Sequence, residues 1–256
     1  MARVQQIVEY LDDLLKVDVF PDAAVNGLQV EGREQISTVA TCASVSADFF
    51  EQAVEEGAGL LLVHHGLLWN RPLPLIDRWL GRRLYFLLEN ELNLVAYHLP
   101  LDAHPEMGNN AQLAKSAGLE DVVFDVGRAG PACIGCRGRL PGGESLDELA
   151  GRLEAAVECK ARVVGSAMPQ GVEAVAVVSG AGGTPEILME AKRAGCQVLV
   201  TGEVKEQSVA MLKEMEMAAV VLGHYNSEKL GVMELGDNLA EHFGLSVVHI
   251  DVPNPL

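Results

Sequence analysis

Short β-branched runs alternate with helical patterns along the whole chain, which confines it to an α/β fold with mostly parallel or mixed sheets. The spacing predicts first-half strands at Ser37–Ala43, Leu60–Val63, Leu94–Tyr97 and Val122–Asp125. Those of the second half fall at Ile134–Leu140, Ala161–Val164, Val172–Val178, Val198–Val200, Ala218–Leu222 and Val247–Ile250. Helical patterns cover Ala47–Glu56, Arg83–Glu89, Asn110–Ala117, Leu146–Ala156, Pro185–Ala194, Lys205–Glu214 and Asn238–Phe243. Thr184-Pro185-Glu186 reads as a helix start, with Thr as cap and Pro in the first turn, and Gly195 as its stop.

The alternation is also self-similar. With Val63 set against Val200, Thr38–Thr41, the Phe50 helix and Ala58–Val63 fall in step with Val175–Val178, the Leu188 helix and Gly195–Val200. Each half then reaches a strand ending in histidine, at Ala96-Tyr97-His98 and at Leu222-Gly223-His224. The expectation is two similar α/β lobes, residues 1–127 and 128–256, with the boundary near Gly127–Pro131. Sites in open parallel sheets gather beyond the strand carboxyl ends, so a two-lobed repeat predicts a site in the cleft between the lobes.

Composition narrows the function classes. The 256 residues are 49% hydrophobic but only 5% aromatic, so the core is expected to be aliphatic. A formal charge of −17 repels a phosphodiester backbone and argues against nucleic acid as a partner. The longest apolar runs, Ala58–Val63 and Met217–Leu222, are far short of a membrane span. Met1–Lys16 spaces Val4, Ile7, Val8, Leu11, Leu14 and Leu15 as an amphipathic helix rather than a signal peptide, so a cytoplasmic protein without membrane partners is expected. Five scattered cysteines make no disulfide framework, and Cys133-x-x-Cys136 lacks the second pair or nearby histidines that a zinc site wants.

Four of the seven histidines, His64, His65, His98 and His224, fall at or just past strand ends, and His104, His242 and His249 do not. Asp102 follows His98 by four residues, and Glu228 follows His224 by four. Imidazole nitrogen and carboxylate oxygen together suit Zn, Mn, Fe, Co or Ni. Adjacent residues on a strand point to opposite faces, so His64 and His65 suit two different ions, bridged by a carboxylate about 3.5–4 Å apart. Trp69–Arg83 is an insertion relative to the second half, read as a loop. It concentrates Arg71, Arg78, Arg82 and Arg83 around Trp69 and Trp79, a setting for a phosphorylated ligand with a base stacked on indole, or else a solvated or oligomer-facing surface. Gly180-Ala181-Gly182-Gly183-Thr184 joins a strand to a helix but matches no phosphate-binding fingerprint and reads as a tight turn.

Several segments together resemble one family. They are Asn26-Gly27-Leu28-Gln29-Val30, Val63-His64-His65-Gly66, His98-Leu99-Pro100-Leu101-Asp102-Ala103-His104, Gly108-Asn109-Asn110, Thr201-Gly202-Glu203-Val204, Gly223-His224 and Ile250-Asp251-Val252-Pro253-Asn254-Pro255. In that order they resemble the Nif-three-like family, whose bacterial members are often named GTP cyclohydrolase I type 2 homologues, in its compact form without a mid-chain insertion. The resemblance implies two related lobes, a dinuclear centre of two divalent ions in the cleft, and a homohexameric ring. By matching position it implies His64, His65, Asp102, His224 and Glu228 as metal ligands, with Glu228 or Asp102 as bridge, and His98 in an acid/base or supporting role.

Two functions follow as expectations. One is a metal-dependent hydrolase of a nucleotide or related small phosphorylated molecule, in which the ions acidify a water. For GTP the target would be C8 of guanine, with His98 or Glu203 moving protons and Trp69, Arg71, Arg78 or Arg82 holding the substrate. The other is a non-catalytic metal-binding or metal-delivery scaffold forming an oligomeric ring.

Overall fold

The central strands of both sheets form where the sequence is apolar on two faces at once, the pattern of a sheet covered on both sides. In the first sheet Val39–Ala43, Leu60–Val63 and Leu94–Ala96 are all 3% exposed or less. A computed structural model describes residues 1–69 and 75–255, and these divide into two units.

The first unit comprises Met1–Leu101 and Val232–Pro253. It runs β1 (Ala2–Arg3), α1 (Val4–Leu15), β2 (Gly27–Val30), β3 (Gln35–Ile36), β4 (Thr38–Ser44), α2 (Ala47–Glu55), β5 (Leu60–His65), α3 (Arg78–Glu89) and β6 (Asn93–Ala96). The short helix α4 (Leu99–Asp102) then carries the chain into the second unit. There follow α5 (Asn109–Ser116), β7 (Glu120–Ala129), β8 (Ala132–Glu144), α6 (Leu146–Val157), β9 (Arg162–Gly165), β10 (Val172–Val178), α7 (Pro185–Arg193), β11 (Val198–Thr201), α8 (Glu206–Glu214), β12 (Ala218–Val221) and α9 (His224–Ser227). Finally α10 (Lys229–Phe243) and β13 (Ser246–His249) return to the first unit.

The first sheet has the order β13-β4-β5-β6-β2, parallel except for the edge strand β2, and β1 and β3 form a separate antiparallel pair. The second has the order β7-β8-β10-β11-β12-β9, with β10, β11 and β12 parallel and the other pairings antiparallel. The fold is therefore mixed α/β with parallel and antiparallel strands. Among the described residues no helix is long and apolar enough to cross a membrane.

The expected boundary at residue 127 falls inside a hairpin, since β7 and β8 pair from Glu120↔Arg139 to Ala129↔Ala132. The units divide instead at Leu101/Asp102 and Gly231/Val232. Leu113, Ala114 and Ala117 of the α5 region share one buried cluster with Leu140, Val175 and Val200, which ties this stretch to the second sheet. Strand β13 hydrogen-bonds to β4, from Ser246↔Thr38 to His249↔Thr41, which ties the last strand to the first.

Three of the departures from the sequence reading have a local cause. Helix α3 starts at Arg78, inside what reads as a loop, because Asp77 Oδ1 accepts from the amides of Trp79 and Leu80, at 2.9 Å each. Helix α10 starts nine residues before Asn238, its Gly231 and Gly236 having masked the apolar stripe Val232, Leu235, Leu239. Gly236 is needed for close packing, since a Cβ there would lie 2.6 Å from Thr41 Cγ2. Strand β2 is short and half polar, so periodicity did not reveal it, yet it pairs with β6.

Candidate metal centre

In the first unit, β5 delivers His64 and His65 at its carboxyl end, and His98 follows two residues after β6. Each imidazole is held from behind. His64 is fully buried, and its Nδ1 donates to the Tyr97 carbonyl at 2.9 Å, which leaves Nε2 as the lone-pair nitrogen. His65 Nδ1 lies 3.1 Å from the Ser44 hydroxyl on the adjacent strand. His98 Nδ1 donates to Asp22 at 2.8 Å. Although strand neighbours ordinarily diverge, the His64 and His65 rings come back to 4.5 Å between centroids. His98 stands 5.0 Å from His64 and 5.4 Å from His65. One ring nitrogen of each lies within 4.8 Å of the others.

Asp22 was not singled out by the sequence, because 76 residues separate it from His98 and no spacing links them. It is nonetheless heavily committed. Oδ1 accepts from His98 and from the Ala24 amide at 3.0 Å; Oδ2 accepts from Asn26 Nδ2 at 3.1 Å and the Leu99 amide at 2.9 Å. Burial works to raise its pKa, but the bonds from His98, Ala24 and Asn26 and the charge of His98 outweigh it and hold the carboxyl well below the usual range.

The second unit supplies the acids. Asp102 and Glu228 are each 3% exposed, and each turns an oxygen to within 4.8 Å of the other. Asp102 Oδ1 accepts from Asn109 Nδ2 at 2.8 Å and Ser179 Oγ at 3.2 Å. Asn109 lies in the Gly108-Asn109-Asn110 segment, so a signal for it was present; Ser179 carried none. His224 Nε2 is 3.2 Å from Glu228 Oε2, and its Nδ1 is 2.5 Å from Glu203 Oε1. The Glu228 hydrogen bond, against the opposing effect of burial and with further help from Glu203, pushes the His224 pKa up to about 9. Gly180 makes room for this cluster: its φ is +56°, and a Cβ there would sit 2.0 Å from Glu228 Oε1 and 3.2 Å from His224 Nε2.

Two buried carboxylates this close repel each other unless protons or a cation stand between them. Imidazoles with their Nδ1 hydrogens tied back and buried acids with ordered partners are a donor set that suits a first-row divalent ion. The residues present therefore fit metal.

The remaining expected positions separate. Trp69 lines a first-unit cavity of about 440 Å³ with Val45, Leu67, Trp79 and Arg83. Its ring is 5.3 Å from His98 and 6.2 Å from His65. The Arg83 guanidinium sits over Trp79 at 4.2 Å. Arg78 and Arg82 are exposed on α3 and do not line this cavity, and Arg71 lies outside the described residues. Cys133 and Cys136 are three apart on β8, so they face opposite sides of the sheet. Cys136 is buried in the second unit's core, which pushes its thiol up to about 12.

A mixed α/β chain with imidazole and carboxylate clusters just past its parallel strands belongs to the class of candidate metalloproteins. Comparison with known proteins makes that narrower. The profile of Duf34/NIF3 (NGG1p interacting factor 3) matches residues 2–255. A Neisseria meningitidis serogroup B protein called GTP cyclohydrolase 1 type 2 homolog is 36% identical over 255 residues, covering 100% of both chains. The solved structure of protein ybgI, titled as of unknown function, superposes with a TM-score of 0.91 at 34% identity, again over 100% of both chains. That of TTHA1606 from Thermus thermophilus gives 0.88 at 36% over the same coverage. The chain belongs to the Duf34/NIF3 family.

Proposed function

We propose that His64 and His65 of the first unit act with Asp102, His224 and Glu228 of the second to hold two divalent cations, and that the protein is a metal-dependent hydrolase of a nucleotide or related small phosphorylated molecule. The observation that carries this is the pair of buried acids, Asp102 and Glu228, with oxygens within 4.8 Å. Ionised carboxylates at that depth call for positive charge beyond one imidazole. When bound, divalent cations acidify water and polarise an electrophilic carbon or phosphorus.

The chain's own groups supply the rest. Glu203, half exposed, and His98, with its Nδ1 held by Asp22, are the groups able to move a proton at the leaving atom. Trp69 and Trp79 offer indole faces to a planar ring in the first-unit cavity, and Arg83 brings a guanidinium to the same wall. Arg78 and Arg82, exposed on α3, are the guanidinium groups this reading assigns to phosphate. The names of the relatives point to GTP among the nucleotides to try first.

The test is turnover of a nucleotide panel by protein loaded with Mn, Zn, Fe, Co or Ni. His64→Ala should abolish turnover and leave the circular dichroism unchanged; turnover that survives it overturns the mechanism. The burial of His64, Asp102 and Glu228 favours a second reading, a scaffold that binds or delivers metal without chemistry. Two tightly held equivalents with no turnover on any nucleotide would select it.

A further inference from the structure

Helix α3 presents one arginine that neither the fold nor the metal centre uses. Trp79 and Arg83 are four residues apart and share a face of the helix, so the guanidinium lies over the indole at 4.2 Å. Both side chains line the first-unit cavity of about 440 Å³, a volume in the range of small-molecule sites. Arg82, turned about 100° around the helix axis from Arg83, lines instead a groove of about 200 Å³ against α2, with Phe50, Glu51 and Phe86. Arg83 borders that groove as well, so the two hollows meet at its side chain. Arg78 lines neither.

Building on the phosphorylated substrate proposed above, we infer that Arg83 holds the first phosphate and Arg82 the next, with Arg78 taking no part. A ring seated in the cavity then sends its phosphate chain past Arg83 into the groove between α2 and α3.

Two observations support this placement. First, Arg83 is half-buried, and among the described residues it has no hydrogen-bond or ion-pair partner. Burial lowers its pKa, the mark of a charge that has given up water, yet a guanidinium keeps its proton. N–H donors held against an indole and given no acceptor are a preformed fork for phosphate oxygens. Second, the acids of the two hollows set a direction. Asp77 lines the cavity and spends Oδ1 on the Trp79 and Leu80 amides. It makes no ion pair with Arg83, so it stands apart from the guanidinium, repels a phosphate toward it and keeps Oδ2 to accept from a ring N–H. Trp69 lines the same cavity 6.2 Å from His65, which puts the ring beside the imidazoles. Glu51 shares the groove with Arg82, so the second contact is the weaker one.

The chain has two tryptophans and both line the cavity, so its fluorescence reads the site directly. Stopped-flow quenching of the full chain as purified, with guanosine, GMP and GTP as probes, tests the assignment. Affinity should rise from guanosine to GMP and again to GTP. Arg83→Gln should weaken GMP about 10–100-fold, down to the level of guanosine, and leave guanosine itself unchanged. A merely structural loss would weaken guanosine too. Arg82→Gln should weaken GTP by a smaller factor and leave GMP alone, and Arg78→Gln should change neither. Arg83→Lys keeps the charge without the fork and should recover part of the loss.

GMP binding that ignores Arg83→Gln overturns the assignment, and so does an equal loss for guanosine and GMP. If Arg78→Gln carries the loss instead, the phosphorylated substrate stands and this placement falls. If GMP and GTP bind no better than guanosine, both fall. Should circular dichroism show that Arg83→Gln does not fold, Arg83→Lys decides, since it must still weaken GMP more than guanosine.

Discussion

Both units carry the same three-stranded parallel core but place different chemistry on it. In the first, the pairings Ala40↔Leu61 and Leu61↔Leu94 run across β4, β5 and β6. In the second, Val175↔Val198 and Val198↔Ala218 run across β10, β11 and β12. Counting outward from these lines, His64 and His65 correspond to Thr201 and Gly202, and His98 to Leu222. His224 comes two residues later, after Gly223 with φ +90° has turned the chain into α9. The histidines are therefore not in matching positions, although the sequence pattern sets them side by side. Ser44 and Ser179 do match. One meets His65 and the other donates to Asp102. The repeat preserves strands and a supporting hydroxyl, while the imidazoles and acids diverge in the connections.

The cores differ as well. Tyr97, Phe49 and Phe50 are the largest fully buried side chains and all belong to the first unit. Two buried clusters of the second are built from Val, Leu, Ala, Cys and Met, with the half-buried Phe124 packed against one of them and Tyr225 buried outside both. The aliphatic core expected from composition thus describes the second unit more closely than the first.

The largest effect should come from that difference. Phe50→Ala is expected to cost about 3–5 kcal/mol, against about 1–3 kcal/mol for Val200→Ala in the second sheet, measured by urea unfolding. Equal losses would mean that the rings add nothing special to the first core. Next comes Gly180, whose register counterpart is Val45. Gly180→Ala combines a left-handed backbone with a collision at Glu228, so a loss of about 2–4 kcal/mol and of bound cation is expected. Val45→Ala should stay under about 1 kcal/mol. A benign Gly180→Ala would show that Glu228 has room elsewhere.

Ser44→Ala and Ser179→Ala sharpen the comparison at its most symmetric point. Each should weaken cation binding about tenfold in calorimetry, with little change in melting temperature. If only one does, the matching serines share a position and no purpose. The smallest effect is alkaline. Burial raises the Cys136 thiol from 9.0 to about 12 and that of Cys196 to about 11. The unfolded chain ionises first, so their contribution to stability is intact below pH 9 and declines as pH climbs toward 12. Replacing both with Ala should flatten that decline in urea titrations at pH 7 and 10, and an unchanged slope would refute the assignment.

Much of this fold was legible because strand signals are local. Val172–Val178 was read to the residue, and Thr184-Pro185 started α7 as its side-chain cap requires. What escaped depended on distance or on polar side chains. Asp77 begins a helix by capping it, Gln29 sits in a strand that periodicity cannot flag, and Gly231 and Gly236 hide a helix behind residues chosen for close approach. Of the candidate ligands, every one carried a sequence signal. Their supporting groups, Asp22, Ser44 and Ser179, did not, because a hydrogen bond between residues 21, 76 or 77 apart leaves no trace in spacing.

The pairing of β13 with β4 has a consequence for biosynthesis. Thr41 and His249, bonded at 2.7 Å, are 208 positions apart. On a ribosome adding about 5–20 residues each second, the edge of β4 waits some ten seconds or more for its neighbour. By the time Val221 is made the second sheet has all its strands in hand while the first still lacks β13, so the portion made first is the portion finished last.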